Sequence, residues 1–137
     1  MFRLWLFIAG IVGLAAVAAG AWGAHALNGL ADYPRLASIF ETALRFHLVH
    51  SVALFGTAIL FAATDGRRNV WGAVMLNLAA LGFLLGIVLF SGGIYYQVLN
   101  IQETGLKVVP AGGIAFMIGW IAVALSAFGF REGSPES

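Results

Sequence analysis

The chain has no cysteine. Disulfides, thiolate metal sites and a cysteine nucleophile are therefore excluded, and the redox compartment is left open. Charge is nearly as scarce. Only 9% of the residues are Asp, Glu, Lys or Arg, where soluble domains carry about 25%. A net charge of +1 gives no basic excess, so a nucleic-acid partner is not expected. No Ser-His-Asp set, phosphate-binding loop or paired catalytic carboxylates appears. The polar shell that a chain of 137 residues would need in water is missing. With 61% hydrophobic residues, the solvent has to be lipid.

What is present is a series of apolar runs. The first extends from Leu4 to Ala24 without a charge and is long enough for the hydrocarbon core. A cleaved signal peptide, with Arg3 in front of the apolar stretch, is the rival reading. Ala9, Gly13, Ala16, Gly20 and Gly23 recur at steps of four and three, a seam along which another helix backbone can approach. A connection with Gly29 and Pro34 follows. The second helix then starts either behind an Asp32 cap or at a Ser38/Glu41 capping box. The third run starts after the polar turn Asp65-Gly66-Arg67-Arg68-Asn69. Gly92-Gly93 is expected to loosen its end, and Tyr95-Tyr96-Gln97 to form an interfacial belt. Pro110 is expected to open the fourth span, where Gly112, Ala115, Gly119, Ala122, Ser126 and Gly129 make a second small-residue seam.

The expected architecture is an all-α integral membrane four-helix bundle with up-down topology and close packing along those seams. Spans are expected at about 4–26, 38–64, 70–98 and 110–130, in one domain over 1–131, with a polar tail at 132–137. Four spans put both termini on one side. Arg3, Arg67, Arg68 and Arg131 lie there, against Arg35, Arg45 and Lys107 on the other. The positive-inside rule then favours cytoplasmic termini by one residue.

Folding the spans up and down gathers the rare polar groups near the other face: His25, Glu41, Arg45, His47, His50 and Tyr95, with Ser91 nearby. Glu41 and Arg45 are four apart, acid first, the favourable order for a helical ion pair. They either anchor the helix at the interface or line a site. His47 and His50 lie about 60° apart around the helix. Facing acyl chains would be costly, so both should face the bundle, with Glu41, Tyr95 or His25 within reach as partners. Satisfied structural histidines, a three-histidine metal or haem site, and a proton relay are the alternatives. Asn77 should hydrogen-bond across helices. Below the histidines only Thr57 and Asn77 are polar, too little for a path across the bilayer.

Four ordered segments resemble a known family: Gly20-Ala21-Trp22-Gly23-Ala24-His25-Ala26-Leu27, Phe40 to His47 with His50, Leu89-Phe90-Ser91-Gly92-Gly93-Ile94-Tyr95, and Pro110 to Phe116 with Gly119-Trp120. The chain is similar to the small membrane proteins of the domain-of-unknown-function 423 family, bacterial inner-membrane proteins with mitochondrial relatives. The resemblance implies four spans and an inner-membrane or organellar setting, and it implies no activity. His25, Glu41, Arg45, His50, Ser91 and Tyr95 carry over as family-like positions without roles, and His47 as a more variable one.

The residues thus point to a non-enzymatic membrane protein with no catalytic residue, cofactor or metal. Its expected partners are the lipid bilayer and, beyond it, other membrane proteins. An accessory, assembly or scaffold role in a membrane complex is the first expectation, because tight seams leave little room for a cavity. The alternative is a binding protein or permease for a small lipophilic ligand, a quinone or a lipid, held by the polar cluster. A second alternative is a metal or haem site on His25, His47 and His50.

Overall fold

The computed structural model describes residues 1–30, 32–102 and 104–131. The tail expected at 132–137 lies outside them. The described chain is helical apart from its turns and one isolated bridge between Arg68 and Phe130. Helix α1 is Phe2–Ala26, continued by a 3-10 turn at Leu27–Leu30. Helix α2 is Pro34–Ala63. The third span is built in three pieces: α3 at Val70–Gly86, a π-turn at Ile87–Ser91, and α4 at Gly92–Leu99. Helix α5 is Val108–Ser126 and ends in a 3-10 turn. Four stretches are long and apolar enough to cross a bilayer, the shortest with 22 residues, about 33 Å of helix. The fold is an all-helical membrane bundle.

Three details depart from expectation. Helix α2 starts at Pro34, ahead of position 38, with Tyr33 as N-cap and no side-chain cap bond. Neither Asp32 nor a Ser38/Glu41 box closes this end. Proline suits the first helical position, where its missing N–H would have no partner anyway. The Ser38 carbonyl instead accepts from Thr42 Oγ1 at 3.2 Å. Helix α5 starts at Val108, so Pro110 sits within the first turn, where an absent N–H again costs nothing. Gly92-Gly93 does not loosen the third span. Its helix continues to Leu99, and the irregular part is the π-turn just before the glycines.

The two small-residue seams behave differently. Along α3 and α5 the backbones meet. A Cβ on Gly82 would come within 2.9 Å of the Ala115 carbonyl and of the Gly119 backbone, and one on Gly112 would run into the backbone of Phe90. Side chains at these sites would force the helices apart. On α1 only Ala9, Ala16 and Gly23 of the expected seam are buried, against α2. A Cβ on Gly13 would meet nothing within 4 Å.

Polar bonds fix the terminal face. Asn69 caps α3, accepting from Gly72 N at 2.9 Å. The Asn69 N–H donates to the Gly129 carbonyl at 2.9 Å and the Arg131 N–H to that of Arg67 at 2.8 Å, so the end of α5 is tied to the α2–α3 turn. Arg68 folds back over the Phe61 ring and donates to the Phe61 carbonyl. One layer deeper, Trp5 Nε1 donates to Asn77 Oδ1 at 2.9 Å. The deep amide thus bonds across helices, and α1 is fastened to α3 near the terminal face.

Candidate lipid-facing cleft

Beyond the Trp5–Asn77 bond, α1 stays on α2 and leaves the third span. The gap is a cavity of about 300 Å³. Ile11, Val12 and Ala15 of α1 form one wall, and Ile87, Val88, Gly92 and Tyr95 the other; His47 of α2 lies on the floor. A second cavity of about 220 Å³ follows toward the loop face, between Ala19, Trp22, Phe40, Tyr95 and Leu99. Tyr95 lines both, so they adjoin along the seam between α1 and the third span and are together called the cleft. Its floor carries neighbouring rings: Trp22 and Phe40 with centroids 5.4 Å apart, Phe40 and Tyr95 at 5.2 Å, Tyr95 and His47 at 5.9 Å. None of the lining residues is charged. The π-turn supplies the inner part of one wall, and such turns recur at functional sites.

The polar feature of the cleft is the pair His47 and Tyr95, whose Nδ1 and hydroxyl oxygen are 3.2 Å apart. His47 is 5% exposed, and its Nε2 has no hydrogen-bond partner. That nitrogen is covered by protein. The group open to the cleft is therefore the Tyr95 hydroxyl, with His47 behind it.

The other candidate residues go elsewhere. His50, one turn along α2, faces α5. Its Nδ1 is 2.8 Å from the Phe46 carbonyl, which only accepts, and its Nε2 is 3.2 Å from Trp120 Nε1, which only donates. This fixes the tautomer, with the proton on Nδ1. The ring stacks on Phe116 at 3.7 Å. His50 is thus a satisfied core histidine, outside the cleft. Ser91 is fully buried and donates to the Ala43 carbonyl at 2.9 Å, fastening the π-turn to α2. Glu41 and Arg45 pair at 3.6 Å, 58% and 77% exposed. At 100° per residue they lie about 120° and 160° around α2 from His47, so they anchor the helix away from the cleft. His25 is exposed in the last turn of α1. Gln97 is buried and donates to the Thr104 carbonyl at 3.0 Å, holding the last loop rather than joining an interfacial belt.

The polar residues therefore do not form one cluster. The three histidines occupy three separate environments. Among the described residues no group of three or more His, Asp or Glu side chains is placed to hold a metal. The combination of Glu41, Arg45, His50 and Tyr95 expected as a ligand site does not assemble. Each azimuth around α2 meets a different neighbour. Trp22 and Phe40, which line the cleft, stand inside the family-like segments but were not singled out as site residues. Val12 and Ala15 carried no signal.

Comparison with known proteins agrees with this architecture. A family described as "Protein of unknown function (DUF423)" matches residues 19–113. The chain belongs to this family. The DUF423 match spans His47 and all five residues that line the second cavity, Ala19, Trp22, Phe40, Tyr95 and Leu99. Over 127 residues the chain is 33% identical to "UPF0382 membrane protein YwdK" of Bacillus subtilis, covering 91% of this chain and 96% of that protein. It is 32% identical over 130 residues to "UPF0382 inner membrane protein YgdD" of Escherichia coli K12, covering 95% and 93%. A Haemophilus influenzae "UPF0382 membrane protein" is 31% identical over 124 residues, covering 90% and 93%. No solved structure matches. This DUF423 chain is an inner-membrane protein with four spans.

Proposed function

We propose that this protein binds, rather than converts, one uncharged lipophilic molecule in the cleft between α1 and the third span. The observation that carries the reading is the wall composition. An apolar, lipid-facing gap of about 300 Å³ has the Tyr95 hydroxyl and the buried His47 as its polar feature. Ligand sites combine such apolar walls with a few placed polar groups. The absence of charge along the walls favours a neutral head over a phosphate. The tight seams that argued against a cavity hold between α3 and α5 and do not extend to α1.

Native mass spectrometry of protein extracted from membranes in mild detergent tests the reading. Wild type should retain a neutral lipid, and Ala15→Trp, which fills the cleft from its wall, should lose it. Equal retention by both, or a bare chain in both, would refute the proposal.

A second reading, an accessory subunit of a membrane complex, is favoured by one observation. Gly10 and Gly13 on α1 have open space where a Cβ would go, and small residues allow another helix to approach closely. Affinity purification in mild detergent tests it. A chain that always runs alone would count against it.

A further inference from the structure

We infer that the molecule held in the cleft is a ring-headed lipid, with one flat unsaturated ring toward the membrane surface and one aliphatic tail toward the bilayer centre. The inference rests on the binding reading above and adds the chemical class. It comes from the unequal linings of the two cavities. Three of the five residues around the outer cavity are aromatic: Trp22, Phe40 and Tyr95. Trp22 belongs to the α1 wall and Tyr95 to the third span. Phe40 joins them across the floor, its centroid 5.4 Å from that of Trp22 and 5.2 Å from that of Tyr95. The inner cavity is lined mainly by aliphatic side chains, Ile11, Val12, Ala15, Ile87 and Val88.

Each lining suits a different part of a ligand. Aromatic rings attract another ring beyond what buried area supplies, whereas aliphatic side chains offer a tail burial and dispersion. An apolar cavity of about 150 Å³ takes up benzene, so about 220 Å³ accommodates one substituted ring. The order along the bilayer is that of an amphiphile. Trp22 lies one turn from the end of α1 and Leu99 is the last residue of α4, near the loops, while Ile11 to Ala15 occupy the middle of α1. The cavities adjoin along one seam, a course for a single tail; a glyceride needs a groove for each of its chains. The ring floor is also held in place. Phe40 is 2% exposed, and a Cβ on Gly23 would run into its ring, so the glycine lets Phe40 lie against α1.

The test uses the full chain in lipid nanodiscs, with 4-decylphenol and trans-4-decylcyclohexanol as probes. They share tail and hydroxyl group and differ in the flatness of the ring. At equal mole fraction in the bilayer, wild type should bind the phenol about tenfold more tightly, the upper range of what an aromatic pair adds. Trp22 is 42% exposed, so replacing it leaves the buried α1–α2 contact in place. Trp22→Leu should bring the ratio near unity, and Trp22→Phe, which keeps a ring, should retain most of it. A preference that survives Trp22→Leu would come from the stronger O–H donor of the phenol and would overturn the ring assignment. A loss in Trp22→Phe equal to that in Trp22→Leu would count against it as well. Equal binding of the two probes by wild type would overturn it. So would rejection of both probes by a chain that still retains a neutral lipid in native mass spectrometry. In all these cases the binding reading stands. Rejection of both probes together with a bare chain would remove both.

Discussion

Between α3 and α5 the backbones are in contact, and between α1 and the third span they stand apart around a cleft. Both α5 and α1 carry small residues at steps of three and four. Gly82, Gly112 and Gly119 are filled by a neighbouring backbone or ring, whereas Gly13, on the side of α1 turned toward Ser51 and Val52 of α2, meets nothing within 4 Å. The third span is the most buried of the four, with 44% of its apolar stretch inside the molecule, against 22% for α5 and 17% for α1. A small-residue stripe therefore permits close approach without enforcing it. The difference comes from what else crosses each interface. The α3–α5 side carries the Phe83, Phe116 and Trp120 rings around His50, while α1 is fastened to the third span by the Trp5–Asn77 bond and then leans on α2.

Substitutions at the glycines should show the contrast most strongly. Gly112→Ala should destabilise the bundle by about 3 kcal/mol, because backbone rather than a flexible side chain blocks the new methyl group. Gly13→Ala should be neutral or stabilising by up to about 1 kcal/mol through helix propensity. Denaturant titration in bicelles measures both, and equal losses would erase the distinction between the two halves. Next in size is Trp120→Phe, which leaves His50 Nε2 buried without its donor. A loss of about 1–3 kcal/mol is expected, with probe binding in the cleft unchanged. Weakened binding would mean that the two regions are coupled. A double-mutant cycle of Trp5→Phe and Asn77→Leu should give a coupling of about 0.6 kcal/mol, the average for interhelical bonds in membranes. A value near zero would mean that α1 is free of the third span along its whole length. Glu41→Gln should have the smallest effect, within about 0.5 kcal/mol, since its pair with Arg45 is largely exposed. A large loss of probe binding in that variant would return the charged pair to the site.

Helical spacing made much of the bundle legible in advance. Uncharged runs of bilayer length located the spans, the steps between glycines marked Gly112 and Gly119 as points of close approach, and the lone amide Asn77 announced a cross-helix bond. The inward turn of His47 and His50 was readable too. Their partners were not. His47 and His50 differ by about 60° around α2, enough to send one ring to Tyr95 and the other to Trp120; which helix stands at each azimuth depends on the assembled bundle. The π-turn at Ile87–Ser91 left no periodicity to detect, since one widened turn within an apolar run leaves the hydrophobic pattern unchanged. The cleft is set by α1 diverging from the third span, a relation between elements that no local pattern encodes.

The most direct measurement places a photoreactive benzoylphenylalanine at Ala19, on the cleft wall, and in a parallel variant at Leu78, an exposed position on α3, followed by irradiation in native membranes and mass spectrometry of the adducts. A single neutral-lipid mass at Ala19 against a mixture reflecting the bulk bilayer at Leu78 is the predicted result. The same mixture at both positions would contradict a binding cleft.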